Sequence, residues 1–84
     1  MNDNTYSLIL EVRDAPGVLV RCAQVFDRRG CNISQLHVDH PSGKPYSHMT
    51  VTVSNVDRID QIIGALEKLI DVASVSIDSE RTPR

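Results

Sequence analysis

Hydrophobic periodicity along this chain changes in the order two, 3.6, two, two, 3.6, two, and few folds satisfy that order within 84 residues. Residues 5–13, TYSLILEVR, place Tyr6, Leu8, Leu10 and Val12 at alternate positions. Ser7, Glu11 and Arg13 lie between them, with Ile9 the one apolar exception. This is the pattern of a strand with one strongly buried face. DAPG at 14–17 is a turn, where Asp14 is placed to cap a helix and Pro16 is tolerated in a first helical turn. From Gly17 to Arg29, the apolar residues Val18, Leu19, Cys22, Val25 and Phe26 recur at helical spacing. Arg28-Arg29-Gly30 closes that helix: the cations suit the negative end of its dipole, and Gly30 suits a left-handed cap.

Residues 32–40, NISQLHVDH, read as a second strand with Leu36 and Val38 on one face. PSGKP at 41–45 is a loop dense in breakers. The segment 46–54, YSHMTVTVS, alternates cleanly, with Met49, Val51 and Val53 inward. The short loop makes these two strands an antiparallel hairpin. Placing His40 opposite Pro45 sets Leu36 against Met49 and His37 against His48, with both apolar sets on one side. Ser54-Asn55-Val56-Asp57 resembles a capping box with Asp in place of Glu. A helix over 57–70 follows, its stripe made of Ile59, Ile62, Ile63, Leu66, Leu69 and Ile70. The last strand, 72–78, puts Ala73, Val75 and Ile77 on one face. Residues 1–4 are expected to be a disordered N-terminus and 79–84 a polar C-terminal tail.

The predicted fold is therefore α+β, a ferredoxin-like βαββαβ arrangement with two helices on one face of a four-stranded antiparallel sheet. Each helix has a single apolar stripe, so both belong on the same side. A chain of this length buries roughly 60% of its unfolded surface, enough for one small core and no second domain. Strands 32–40 and 72–78 become the sheet edges. The 32–40 edge has neither proline nor lysine to discourage pairing, and a symmetric homodimer through that edge is expected.

Composition excludes several classes of function. Nine basic and 11 acidic residues give a formal net charge of −2, without the basic excess of a nucleic-acid module. Tyr6, Phe26 and Tyr46 are the only aromatic residues, too few for base-stacking platforms. No apolar run approaches the roughly 18 residues that span a bilayer. The start, MNDNTYS, lacks an apolar signal-peptide core, so the cytoplasm is the expected location. Cys22 and Cys31 form no CxxC and are expected to stay reduced, with Cys22 on the apolar stripe of the first helix.

Three places on the chain invite chemistry. The helix after DAPG offers backbone amides and partial positive charge to a carboxylate. Gly17 clears the approach, and Val18 and Leu19 add donors beside apolar contact. The charge of Asp14 competes with an anionic ligand for the same donors. His37 and His48 are expected neighbours on the open sheet face, with His40 pointing the other way, so solvated polar positions are the better reading than a metal site. Arg21 and Asn32 bring acylphosphatases to mind, which share this topology, but Arg21 is already a turn into the helix and the glycine-rich loop is missing. With no nucleophile-base set at a plausible spacing, the chain reads as non-catalytic.

The opening Asp14-Ala15-Pro16-Gly17-Val18-Leu19, followed by Val25-Phe26-Asp27-Arg28-Arg29-Gly30-Cys31-Asn32-Ile33, resembles the ACT domain. With Ser47-His48-Met49-Thr50-Val51 and Leu66-Glu67-Lys68-Leu69-Ile70-Asp71-Val72, it resembles most the regulatory (small) subunit of acetolactate synthase, also called acetohydroxyacid synthase, in its short form. That resemblance implies a non-catalytic partner that activates a catalytic subunit of branched-chain amino-acid biosynthesis. The catalytic subunit is expected to use thiamine diphosphate and Mg, with no cofactor bound by this chain. Feedback inhibition by valine or a related amino acid is implied as well. The effector would lie at the dimer interface, between Asp14, Gly17, Val18 and Leu19 of one copy and Asn32 and Ile33 of the other. Many family members carry Asn where this chain has Asp14, and many carry a second domain after the ACT domain. The alternative reading is a free-standing ACT-domain amino-acid sensor that regulates a different enzyme.

Overall fold

The computed structural model describes residues 4–15 and 17–81, with the side chains of residues 80 and 81 left aside. The expected placing of Pro16 in a first helical turn lies outside the described residues, as do 1–3 and 82–84 of the expected terminal segments.

The elements are β1 (Thr5–Arg13), α1 (Val18–Arg28), β2 (Asn32–Asp39), β3 (Tyr46–Ser54), α2 (Ile59–Glu67) and β4 (Val72–Arg81). The four strands form one antiparallel sheet in the order β2-β3-β1-β4, so β2 and β4 are its edges, as the sequence predicts. The central strands supply Tyr6, Leu8, Leu10, Val12, Met49, Val51 and Val53 to a single buried cluster. Val18, Cys22 and Phe26 of α1 and Ile62 and Leu66 of α2 join the same cluster. Both helices therefore cover one sheet face, and the other stays open. Burial of these side chains, worth about 1.5–3 kcal/mol each, is what holds the layers together.

α1 ends as its sequence specifies. Gly30 takes φ 71°, its N–H donates to the Asp27 carbonyl at 3.0 Å, and the Cys31 N–H donates to the Phe26 carbonyl at 3.1 Å. These two bonds make a Schellman cap, which needs a residue tolerant of positive φ.

α2 is shorter at both ends than the predicted 57–70. The capping box does not form, and Arg58 at the N-cap makes no side-chain cap bond. Ser54 is still in β3, and its hydroxyl donates to the Asn32 carbonyl at 3.5 Å. Asn55 adopts φ 59° and donates its side-chain amide to the Gly30 carbonyl at 3.1 Å. At the other end, the Leu69 N–H donates to Leu66 and the Val72 N–H to Leu69, turning the chain into β4. Ile70 falls in that turn and is 91% exposed, rather than on the buried stripe.

The hairpin register differs from the predicted one by two residues. Asp39 lies opposite His48, His37 opposite Thr50, and Leu36 opposite Val51. Pro41 and Pro45 have no N–H to give to a ladder. The loop instead closes on itself, with the Lys44 N–H on the Pro41 carbonyl at 3.2 Å. The Pro45 carbonyl accepts from the Asp14 N–H at 3.1 Å and so serves the β1–α1 turn. A slip of two keeps every side chain on its face, so the core pattern survives.

Bulges set the faces of Ile33 and Val72, and they correct that of Ala73, expected on the side of Val75 and Ile77. Ser34 is the extra residue between the Ile33–Val53 and Gln35–Thr52 pairs, which brings Ile33 to the side of Leu36 and Val38. A register shift after Glu11 gives the core position in β4 to Val72 and leaves Ala73 exposed. β4 also runs beyond the predicted 72–78, because Ser79, Glu80 and Arg81 pair with Ser7, Tyr6 and Thr5. These residues are strand, not tail. At the other end, the Asn4 carbonyl accepts from the Val56 N–H at 3.3 Å.

Candidate functional site

Local chemistry in the β1–α1 turn is set by Gly17. It is the N-cap of α1 with φ 80° and ψ −6°, a backbone region costly for residues with a β-carbon. The expected capping by Asp14 does not occur, since α1 has no side-chain cap bond. Backbone bonds hold the turn: Val18 N–H to Ala15 at 3.4 Å and Arg21 N–H to Gly17 at 3.0 Å. The Asp14 carboxylate is 60% exposed and lies 3.5 Å from the His40 Nε2. It thus points to the β2–β3 loop and leaves the first turn of α1 to other acceptors. An α-helix start carries amides without intrahelical partners and a partial positive charge.

The other predicted site residues fall into two groups. Val18 is buried in the core, so only its backbone serves the turn. Leu19 is exposed and lines a small depression, about 90 Å³, with Asp14, Ala15, Val38 and Met49. Leu19 also borders an open groove of about 600 Å³ between α1 and β2, together with Val20, Ala23, Asn32, Ile33 and Leu36. Asn32 and Ile33 sit at the start of β2, opposite Ser54 and Val53. Asp14 contacts His40, which follows the far end of β2. A strand rises about 3.3 Å per residue, so Asp14 lies roughly 20 Å from the start of β2 within one chain, while Leu19 borders a groove with both Asn32 and Ile33.

Sequence reasoning placed none of four further residues at this turn, although it weighed His40 and Arg21 in other settings. His40 bridges Asp14 and Ser47, whose hydroxyl lies 3.1 Å from the His40 Nδ1. Arg21 pairs with Asp71, and a β-carbon on Gly17 would come within 2.8 Å of the Arg21 Nη1. The usable signal for Arg21 was its place one helical turn after Gly17. The contacts of His40, Ser47 and Asp71 come from distant segments and have no periodic signature.

The expected His37–His48 pair is not formed, because the two-residue slip places Asp39 opposite His48. His48 Nε2 lies 3.3 Å from the Glu11 carboxylate, and its ring stands 5.8 Å from that of Tyr46. Among the described residues no group of three or more His, Cys, Asp or Glu side chains is placed to hold a metal ion. Cys22 is buried and Cys31 half-buried, both as free thiols. Burial pushes both thiols above their ordinary value, against the opposing pull of Arg21 on Cys22 and Arg29 on Cys31.

Comparison with known proteins agrees with this architecture. The family model described as AHAS small subunit-like ACT domain matches residues 8–74. The chain is 43% identical over 76 residues to the acetolactate synthase small subunit of Mycobacterium bovis, covering 89% of this chain and 45% of that protein. It is 39% identical over 72 residues to the probable acetolactate synthase small subunit of Archaeoglobus fulgidus, covering 84% of this chain and 45% of that protein. The chain thus spans less than half the length of these relatives. Among solved structures, the acetolactate synthase small subunit of Thermotoga maritima superposes with a TM-score of 0.75 at 31% identity, over 87% of this chain and 46% of that one. The turn, the helix closed by Gly30, the β2–β3 hairpin and α2 all fall inside the matched span, and on that ground the chain belongs to the AHAS small subunit-like ACT domain family, AHAS being acetohydroxyacid (acetolactate) synthase.

Proposed function

We propose that this chain is a non-catalytic regulatory subunit of an acetolactate synthase, which it activates and through which a branched-chain amino acid exerts feedback. The match of residues 8–74 to the small-subunit ACT family carries this reading. The catalytic partner supplies the thiamine diphosphate and Mg chemistry. The cytoplasm is the proposed location, and no helix among the described residues is long and apolar enough to cross a membrane.

Two copies pair in this reading through their β2 edges. β2 has one unpaired side, and Leu36, Val38, Leu19 and Val20 present an exposed apolar face beside it. Such an edge is normally covered or paired. Antiparallel pairing about a two-fold axis sets the start of one β2 against the end of the other. It brings the partner's Asn32 and the partner's Ile33 to Asp14, Gly17, Val18 and Leu19, closing the distance that a single chain leaves between Asp14 and the start of β2. The effector then lies between them, with its carboxylate on the first turn of α1.

The deciding experiment is acetolactate formation by the matching catalytic subunit, with and without this chain, each with and without valine in the millimolar range. Stimulation by the chain is expected, with loss of the stimulated rate in valine. No stimulation overturns the reading and leaves an ACT sensor for another enzyme.

A further inference from the structure

We propose that the open face of the sheet is the surface on which the catalytic subunit docks, and that it is broad enough to do so only when two copies have paired through β2. The inference deepens the regulatory reading above and rests on it.

Rows across the strands define this face. The central row holds His37, Thr50, Ile9 and Ser76. The row beside it holds Gln35, Thr52, Ser7 and Ser79. Neither row contains a carboxylate, a lysine or an arginine. The two lysines of the chain, Lys44 and Lys68, lie in the β2–β3 loop and after α2. A surface that meets only water carries charge on about 25–35% of its residues. The outer side of the helices is of that kind, with Asp27, Arg28, Asp60 and Glu67 exposed. Depletion of charge marks the centre of a protein–protein interface. Ile9 stands in the middle of the central row and is 36% exposed. Near one end of the face Arg13 and Tyr46 lie opposite each other, and Arg and Tyr recur as interface anchors.

The polar groups here are ordered in advance. The Ser7 and Thr52 hydroxyls meet at 2.9 Å, and the Ser34 hydroxyl donates to the Thr52 carbonyl at 3.2 Å. These residues line a shallow trough of about 390 Å³ with Thr5, Gln35 and Ser79. Short side chains lose little rotamer freedom when a partner covers them, and a hydroxyl serves as donor or acceptor.

Area decides what this face can hold. The strands are 8 to 10 residues long. At about 3.4 Å per residue and about 4.8 Å between strands, one chain offers roughly 550 Å². A stable interface buries about 800 Å² on each partner, so one chain falls short. Antiparallel pairing of two β2 edges continues the sheet and puts both open faces on the same side. The pair then offers roughly 1,100 Å². In the regulatory reading the β2 edge is given to the second copy and the β1–α1 turn to the effector. The open face is the broad, charge-poor surface left for the catalytic subunit.

The test is acetolactate formation by the matching catalytic subunit, measured against the concentration of this chain. Ile9→Lys and Ser76→Lys each put a cation into the central row. Both should raise the chain concentration for half-maximal stimulation by about tenfold or more, with dimer mass and circular dichroism as in the wild type. Ser76 is exposed on the edge strand, so its variant carries the test should Ile9→Lys lose stability. A Leu36→Asp chain that light scattering shows to be monomeric should lose stimulation to a similar degree. Unchanged half-saturation in both lysine variants overturns the inference while the regulatory reading stands. So does a Leu36→Asp monomer that stimulates like the wild type. A wild-type mass of four chains that Ile9→Lys lowers to two gives the face to a second pair of this chain, and also overturns the inference. A wild-type chain that does not stimulate the catalytic subunit overturns the regulatory reading itself, and this inference with it.

Discussion

Arg21 reaches across to Asp71 with Nη2 and Oδ2 2.5 Å apart, and in doing so lies against Gly17. Asp71 is the hub of this contact. Its carboxylate is 12% exposed, and its carbonyl accepts from the Arg13 N–H at 2.7 Å. One residue of the α2–β4 turn thus ties the end of β1 to the first turns of α1. It braces the candidate effector seat from the side away from β2.

Replacing Gly17 tests that seat. Gly17→Ala forces a β-carbon into the left-handed region and displaces the Arg21 guanidinium, for a loss of about 1–2 kcal/mol in denaturant melts. Gly17→Asp adds a negative charge at the carboxylate seat and should abolish the response to valine. A normal valine response in a Gly17→Asp dimer places the effector elsewhere.

The Arg21–Asp71 pair should contribute modestly, because Arg21 is nearly half exposed. A double-mutant cycle on Arg21→Gln and Asp71→Asn should give a coupling of about 0.5–1.5 kcal/mol, smaller in high salt. A coupling insensitive to salt means that packing, not charge, links these residues.

Charge placed on the apolar face beside β2 should break the proposed dimer while sparing the fold. Val20 is 58% exposed and Leu36 is 43% exposed in a single chain. Val20→Asp and Leu36→Asp should therefore change the stability of the chain by less than about 1 kcal/mol. Light scattering should report monomers. An intact dimer mass in both variants points to the open sheet face or the β4 edge as the interface.

Cys22 predicts an alkaline limit to stability. Burial raises its folded-state value above the ordinary 9.0. Between the two values the unfolded chain loses a proton that the native chain keeps, so stability falls as pH rises through that window. Below the ordinary value the contribution is fully present. Melts from neutral pH into the alkaline range should show this loss, and Cys22→Ala should flatten it. A slope unchanged by Cys22→Ala assigns the loss to other groups.

The faces of β1 and β3 and the closure of α1 at Gly30 were legible because each is a local property. Period two decides which side chains of a strand share a face, and a glycine after two arginines is a complete cap signal. The start of α2 was misread for a physical reason. Ser54 has the composition of a cap, but the β3 ladder holds it in the strand, and tertiary pairing overrides a short motif. Ala73 was misassigned because a register shift reverses parity, and nothing in the local pattern announces one.

The candidate site divides along the same line. Gly17 was readable, since a turn into a helix without a side chain leaves a visible mark. Asp14 was readable as a site residue but not as a partner of His40. That contact depends on a hairpin slipped by two residues, in a loop whose prolines withhold their donors. Sequence by itself determined the order of elements, the buried faces, the two sheet edges and the family. Only the tertiary structure decided register, bulges, the ends of α2 and β4, and which charges meet at the β1–α1 turn. Local periodicity repeats within a few residues and survives any slip of two. Contacts between distant segments are set by which hydrogen-bond donors remain once the whole sheet has been paired.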